Sequence, residues 1–501
     1  MPKTLVQTSY GLVQGVQEGS ILSWKGIPYA QPPLGKQRFL PPQPLEAWSR
    51  VLQATHFGPM AMQPASMPAE LLSRLSMSED CLTLNIWSPE VDLQLCPVLV
   101  WIHGGGWLIG SGRLHDGTSL AMLGDVVVVT LNYRLGPFGF LHLAEFGGEK
   151  YATSGNCGLL DQIAALQWIQ DNIAAFGGDP HRVTVFGESA GAMSIGALLT
   201  SPLAQGLFQQ AILQSGSLGP IRSGAEATAL TRLFLQLLDV NPQDLSSLED
   251  IPAECLVEAA SALPDWQGTT GAEDVIHFAP VIDGVVLPRS PLQAIASGVA
   301  KHIPLIVGTT RDECLFHRIA DPTWRESDDE TLIRRVQQQV GVAWPNIAPF
   351  YLENHSGEQS LLIRLLSLLT FEQFIFPAIQ LAEAQVLQGA PVWMYRFDWH
   401  SPLFGGAAHT LDRIFVWNLA ENPTIQRMTG DAPERAHLAH QMQQAWIAFA
   451  RTGNPSIPEL PIWPRYDLEQ RSTMLFDRES TVQNDPNARA RQSWTNAVSE
   501  R

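Results

Sequence analysis

Short apolar, β-branched runs recur along the chain, each bounded by Gly, Pro or polar residues: 82–87, 97–102, 126–131, 183–186, 211–213, 305–307 and 392–397. They are too short for helices and read as buried strands. Segments of helical period lie between several of them, notably 159–173. Strands alternating with helices predict an α/β fold, a large mostly parallel central sheet covered by helices on both faces. Residues 5–30 alternate and turn, which predicts a small N-terminal antiparallel ribbon. The Pro-rich stretch 28–44 reads as an arm laid over the surface. Two stretches, about 221–275 and about 320–390, are mostly helical in pattern. They are expected to be insertions over the C-terminal edge of the sheet, walling a pocket.

Composition leaves room for a large core. Of 501 residues, 45% are hydrophobic and only 16% charged, against ~25% charged in ordinary soluble domains. Length alone points to about three domains of ~150 residues. No linker, charge block or repeat divides the chain, so one domain over 1–501 is expected. The net charge of −18 argues against nucleic acid and anionic membranes as partners. No run approaches ~18 apolar residues, so no membrane span is expected. The N-terminus lacks the apolar core of a signal peptide. The five cysteines have no paired spacing and do not look like a disulfide framework. A cytoplasmic monomer or homodimer is expected.

The chemistry centres on Gly187-Glu-Ser-Ala-Gly191, which follows the run 183–186 and precedes a stretch of small, helix-forming residues. Strand, Gly-x-Ser-x-Gly and helix together are the context of a sharp turn that exposes a nucleophilic serine, here Ser189. His103-Gly-Gly-Gly-Trp107 follows another strand. A glycine run there turns backbone N–H groups inward, where an oxyanion develops in acyl transfer. Gly105 and Gly106 are assigned to that role, with the N–H of Ala190 as a third donor. A serine at its own pKa needs a base. His409 lies in a loop after the run 392–397, which suits a group reaching over to Ser189. The acid should fall between serine and histidine in chain order; Asp312 and Glu313 both qualify on spacing. Glu434, His437 and His440 fall at helical spacing, and a helix surface is the preferred reading over a metal site. Neither a metal nor an organic cofactor is expected.

With these residues in view, the chain resembles the type B carboxylesterase family, and within it the bacterial para-nitrobenzyl esterase group, cholinesterases being distant relatives. The resemblance runs through Phe39-Leu-Pro-Pro, Ser78-Glu-Asp-Cys-Leu-Thr-Leu-Asn-Ile-Trp87, Val100-Trp-Ile-His-Gly-Gly-Gly-Trp107 and Asn132-Tyr-Arg-Leu-Gly-Pro-Phe-Gly-Phe140. It continues through Gly155-Asn-Cys-Gly-Leu-Leu-Asp-Gln162, Asn172-Ile-Ala-Ala-Phe-Gly-Gly-Asp-Pro180 and the serine turn, and late in the chain through Trp463-Pro-Arg-Tyr-Asp467 and Thr473-Met-Leu-Phe-Asp477. It implies an α/β-hydrolase fold and a Ser189–His409–Glu313 triad, which selects Glu313 over Asp312. It also implies ion pairs Arg38–Glu79 and Arg134–Asp161, with Glu188 and Ser215 supporting the serine turn from behind. Cys314 and Thr410 stand where the family has glycine. Cys81 matches a cysteine that secreted relatives pair with one upstream; no cysteine precedes it here.

The activity implied is hydrolysis of neutral, small to medium carboxylic esters through an acyl-enzyme. An amidase, carbamate hydrolase or lipase on the same site, and a non-catalytic binding protein on the same fold, are the other readings. Cholinesterases carry a tryptophan shortly before the Ser-Glu-Asp-Cys segment. Here the stretch 58–77 holds Met60, Met62, Met67 and Met77 and no aromatic residue. Trp107 and Phe316 are the candidates for lining the substrate pocket.

Overall fold

The apolar runs become strands of one sheet. The computed structural model describes residues 3–64, 75–90, 94–263, 266–267, 273–274, 276–353, 360–419 and 423–499, so Met67 lies outside the described residues. The strands are β1 (Leu5–Thr8), β2 (Gly11–Gln14), β3 (Val16–Glu18), β4 (Ile21–Pro28), β5 (Leu52–Gln53), β6 (Thr83–Pro89) and β7 (Cys96–Ile102). They continue as β8 (Val127–Leu131), β9 (Gly178–Glu188), β10 (Gln210–Gln214), β11 (Leu305–Thr310), β12 (Val392–Phe397), β13 (Ser472–Phe476) and β14 (Thr481–Asn484). Eleven of them form the large sheet in the order β14-β13-β12-β11-β10-β9-β7-β8-β6-β4-β3. From β13 to β8 neighbours run parallel. The strands beyond, on both edges, are antiparallel. Every residue of β6, β7, β8 and β11 is buried, which requires both faces of the sheet to be covered.

The N-terminal expectation needs correction. Only β1 and β2 form the antiparallel ribbon, and β5 adds to it in parallel. Residues 21–24 belong instead to β4 of the large sheet, paired with β6. Ile21, Leu22, Ser23 and Trp24 are all buried, and a surface ribbon cannot bury four consecutive residues. Strand β9 starts at Gly178, five residues before the apolar run, because its polar first half pairs with β7 at Cys96. Periodicity reports burial and is blind to such pairing.

The arm after Pro28 runs largely over the surface but drives Arg38 and Phe39 inside. Of the two helical stretches, the first holds helices Gly224–Leu237 and Ala253–Ser261. It is not all helix: Arg222–Ser223 pairs with Val281–Ile282, and Trp266–Gln267 with Glu273–Asp274. The second holds Asp329–Val340, Trp344–Glu353 and a long helix, Leu361–Leu387. That helix has the length and composition of a membrane span, yet 56% of its most apolar window is buried in the protein, and its final segment packs on β11 and β12. It is a core helix.

Two ion pairs, each with a buried arginine, tie distant segments together. Arg134 reaches Asp161, on helix α1 (Cys157–Asn172), through two bonds of 2.8 and 2.7 Å, and its third nitrogen donates to the Leu40 carbonyl. Arg38 grips Glu79 at 2.7 and 2.5 Å and also donates to the carbonyls of Leu248 and Ile251. Removing one partner strands a buried charge. Asp161→Asn is therefore expected to cost about 3–5 kcal/mol of stability, read as the urea midpoint at constant m. A loss below ~1 kcal/mol would mean that Arg134 finds another partner or water.

Candidate active site

Five strands of the parallel core come into one row at or near their carboxyl ends. Ile102 of β7 lies opposite Gly187 of β9, Glu188 opposite Gln214 of β10, Gln214 opposite Gly308 of β11, and Gly308 opposite Tyr395 of β12. The loops leaving β7, β9, β11 and β12 carry the glycine run, Ser189, Glu313 and His409 respectively. Carboxyl ends of parallel strands, where the strand order reverses, are where open α/β sheets build sites; here β7 lies between β8 and β9.

Ser189 sits on the turn between β9 and helix α2 (Ala190–Leu198) at φ 55°, ψ −127°. Such a conformation costs a residue with a Cβ about 1–3 kcal/mol and persists only where the surroundings enforce it. Two backbone bonds do so. The Ser189 N–H donates to the Gln214 carbonyl at 2.9 Å, and its own carbonyl accepts from Met193 at 2.9 Å. Gly191 lets the helix start close beside β7, for a Cβ there would stand 2.0 Å from the Ile102 carbonyl oxygen.

In the glycine run, Gly105 adopts φ 107° and Gly106 φ 62°. A side chain at Gly105 would strike the Ile109 carbonyl at 2.2 Å. Among the described residues, the N–H groups of Gly105, Gly106 and Ala190 donate to no protein acceptor. Gly105 and Gly106 border a cavity of about 220 Å³ whose other walls include Leu108, Ile109, Ala260, Ile276 and Phe278. Trp107 does not join them. Its indole is wholly buried and donates to Ser194 Oγ at 2.8 Å. It pins the loop to α2, because an indole N–H needs a partner when buried.

Asp312 and Glu313, equivalent on spacing, part company in space. Glu313 is buried; its Oε2 lies 2.6 Å from His409 Nδ1 and its Oε1 accepts the Thr310 N–H at 2.7 Å. Its carbonyl also accepts the His409 N–H at 3.0 Å. Asp312 turns away, accepting from Ala407 N–H at 3.0 Å and pairing with Arg311 at 2.9 Å. It braces the histidine loop without reaching the ring. The imidazole is flanked by Phe316 at 5.6 Å and Phe374 at 4.9 Å between ring centroids. Phe316, half-buried, therefore stands at the histidine.

Sequence reasoning missed Phe374. It rides on helix α3 (Leu361–Leu387), where residues Phe371–Ile375 widen into a π-turn, a feature that recurs at functional sites. One residue before that turn, Thr370 Oγ1 accepts the Cys314 N–H at 3.0 Å. Cys314 packs into this joint, and burial pushes its thiol far up, so it stays protonated. The only signal in the sequence is the aromatic content of 371–376.

The two supporting residues differ. Ser215 is buried, its hydroxyl has no hydrogen-bond partner among the described residues, and its N–H donates to Gly308 at 2.8 Å. The brace for the serine turn is its neighbour Gln214, through the backbone. Glu188 is central: its Oε1 lies 3.3 Å from His409 Nε2. Burial pushes its carboxyl up to about 7, with the His409 and Arg413 charges pulling the other way. For His409, burial disfavours the cation, but the carboxylates of Glu313 and Glu188 outweigh it and lift the ring to about 9. The Ser189 hydroxyl makes no hydrogen bond among the described residues, so the imidazole faces Glu188 with the nitrogen it would turn to Ser189. Such contacts tighten only with substrate in many enzymes.

Glu434, His437 and His440 lie exposed on helix α5 (Glu434–Thr452), with α4 being Leu411–Val416. Among the described residues no group of His, Cys, Asp or Glu is arranged to hold a metal ion. All five cysteines are free.

The sheet, the strained serine turn and the loops around it define an α/β-hydrolase. The comparisons then fix the family. The chain belongs to the carboxylesterase family, matching it over residues 2–494, and it is a serine carboxylesterase that hydrolyses carboxylic esters. It is 43% identical over 499 residues to a para-nitrobenzyl esterase of Bacillus subtilis, covering 98% of both chains. It is 34% identical over 494 residues to a phenmedipham hydrolase of Pseudarthrobacter oxydans, covering 95% of this chain and 96% of that one. The crystal structure of Geobacillus stearothermophilus carboxylesterase EST55 superposes with a TM-score of 0.89 at 44% identity, over 98% of this chain and 100% of that one.

Thr410, next to the histidine, occupies the left-handed region at φ 72° and makes no capping bond to α4. That conformation costs a residue with a Cβ roughly 1–2 kcal/mol, more than the ~0.5–1 kcal/mol of chain entropy that glycine adds to the unfolded state. Thr410→Gly is expected to stabilise the protein by about 0.5–1 kcal/mol in urea unfolding. A destabilisation of that size instead would show that the Thr410 side chain contributes packing that outweighs its strain.

Proposed function

We propose that ester hydrolysis runs through Ser189, His409 and Glu313. The observation that carries this reading is the 2.6 Å contact between His409 Nδ1 and Glu313 Oε2, on a loop beside a serine in a strained strand-to-helix turn. Glu313 fixes the imidazole so that Nδ1 carries the proton and Nε2 is the basic nitrogen. Nε2 takes the Ser189 proton as Oγ attacks the ester carbonyl. The tetrahedral oxyanion is met by the N–H groups of Gly105, Gly106 and Ala190, which have no acceptor among the described residues, at the positive end of α2. His409 then gives its proton to the leaving alcohol, and water, deprotonated by the same ring, releases the acid. The residues themselves supply every proton transfer, so no cofactor is invoked.

The substrates proposed are neutral esters of small to medium size. The cavity beside Gly105 and Gly106 supports this, its named walls being aliphatic and aromatic save His277. An engineered apolar cavity of ~150 Å³ takes up benzene, so about 220 Å³ accommodates a somewhat larger group on one side of the carbonyl. Within the stretch expected to lack a cation site, Met60 is buried and its backbone bridges to Met77, and residues 58–77 include no aromatic side chain. Five free thiols, four of them buried, suit a reducing cytoplasm. The helical segments from 221 and from 320, in one domain spanning 1–501, wall the pocket in this reading, and the protein works as a monomer or homodimer.

Ser189→Ala is expected to lower kcat about 10⁴–10⁶-fold, and an organophosphate to label Ser189 alone on peptide mapping. Labelling of a different serine would move the nucleophile. Glu313→Gln should cripple turnover, whereas Asp312→Asn should act mainly on folding of the histidine loop; the opposite ranking of kcat/KM would exchange their roles. Butyrylthiocholine should gain less than about tenfold in kcat/KM over a neutral thioester of the same shape, or ~1.4 kcal/mol. A larger choline advantage would demonstrate a cation site.

A further inference from the structure

Glu188 is a buried carboxylate with two claimants. Its Oε1 lies 3.3 Å from His409 Nε2 but has no hydrogen-bond partner, and its Oε2 lies 3.9 Å from Arg413 Nε. Arg413 Nε is likewise buried without a hydrogen-bond partner among the described residues. Glu188 Oε1 and Arg413 Nε are thus both buried without a hydrogen-bond partner on two side chains whose charges approach to 3.9 Å, and each such atom costs free energy until paired. The groups facing Glu188 are His409 from the loop before α4, Asp412 and Arg413 from α4 itself, and Glu313 from the loop after β11. Asp412 is already engaged, accepting from Tyr395 OH at 2.6 Å and Gln214 at 3.1 Å. Glu313 is committed to Thr310 and His409. Of these groups, Arg413 is the one whose donor nitrogen near Glu188 has no partner among the described residues.

The guanidinium is itself anchored. One terminal nitrogen donates to His115 Nε2 at 2.9 Å. His115 is buried between Trp101, at 4.9 Å, and Trp417, at 5.0 Å. Burial, reinforced by the Arg413 charge, holds its pKa well below the usual imidazole value, so it is a neutral acceptor throughout the working range. A neutral histidine in an indole cage thus fixes a cation four residues beyond His409, with its Nε 3.9 Å from Glu188 Oε2.

We propose that Arg413, anchored by His115, is a positioning residue that draws Glu188 away from His409 Nε2, freeing the ring to take the Ser189 proton and lowering the pH at which it acts as a base. This rests on the reading of His409 as the base. The sign follows from charge alone. Glu188 and His409 share one proton, and a nearby cation lowers the proton affinity of the pair whichever atom holds it. Without Arg413 the pair keeps its proton to higher pH, and Glu188 stays on the imidazole.

The test is the pH dependence of kcat/KM for a neutral p-nitrophenyl ester, measured on the intact enzyme. Arg413→Gln should move the acid limb to higher pH by about one unit, the lower end of what an opposite charge within ~4–6 Å does to a pKa. On that limb kcat/KM falls about tenfold, whereas the alkaline plateau changes little. Arg413→Lys should recover most of the shift. His115→Asn, which removes the anchor and keeps the charge, should move the limb in the same direction by less. Glu188→Gln should move it to lower pH, and adding Arg413→Gln to that variant should shift it by less than half as much as in the wild type. A uniform loss at every pH would mean a merely structural Arg413, and an equal shift with and without Glu188 would mean that it acts on His409 directly; either result overturns the proposal. Should Arg413→Gln fail to fold, the Arg413→Lys and His115→Asn profiles decide, and a wild-type limb in both sinks the idea. Organophosphate labelling of Ser189 in each variant reports separately on the nucleophile and base, so failure of that reading is told apart from failure of this one.

Discussion

One close approach governs the molecule: the Ile102 carbonyl oxygen lies where a Cβ on Gly191 would be. It brings the first turn of α2 against the end of β7. Because of it, the Ala190 N–H opens on the same side as Gly105 and Gly106, and Ser189 is forced to a positive φ. The strain is sustained by neighbours that are themselves fixed. Gln214 lends Ser189 its carbonyl, and its side chain is held between Asp412 and the Trp446 indole. Trp107 hangs the glycine loop on Ser194 of α2. A single added methyl group at 191 would therefore disturb strand, helix and loop together, since packed interiors shift as units.

The protein treats five of its acidic groups in different ways. Asp161 and Glu79 are neutralised by bidentate arginines far from the chemistry. Asp412 is satisfied by a phenol and an amide. Glu313 is tied to a backbone N–H and the imidazole. Of these five, Glu188 is the one with no hydrogen bond among the described residues. Structural carboxylates here have directional partners, and the one without them lies beside the proposed base. That contrast separates a group built to stay still from one whose position can respond to the proton.

Much of this was legible in the residues. Runs that are apolar at every position gave the parallel strands because burial on both faces leaves a composition trace. The serine turn and the glycine run were legible because both need residues without side chains at fixed offsets. The choice between Asp312 and Glu313 was not legible from spacing; adjacent residues in a turn point in opposite directions, and only coordinates or family register separates them. Gln214, Phe374 and Arg413 were silent for another reason. Each acts across a strand pair, a helix turn or a loop whose partners are distant in sequence, and glutamine, phenylalanine and arginine carry no positional signature of their own. An aromatic beside a glycine run suits a pocket wall and a core anchor equally well, so the bond of the Trp107 indole to the Ser194 hydroxyl left no signal in the sequence. Residues 21–24 were assigned to the ribbon because their alternation continues that of the preceding strands, although their burial belongs to the large sheet.

The three N–H groups at 105, 106 and 190 have a thermodynamic meaning apart from rate. Donors with no internal acceptor are a weakness in the resting fold, left open at the joint on which strand, helix and loop converge. A carbonyl or phosphonyl oxygen seated there would complete the hydrogen bonding of the structure as well as the reaction geometry. Binding and folding then draw on the same interactions, and the ligated protein must resist unfolding more strongly in proportion to its affinity. The incompleteness that makes the site receptive also makes occupancy a source of structural integrity.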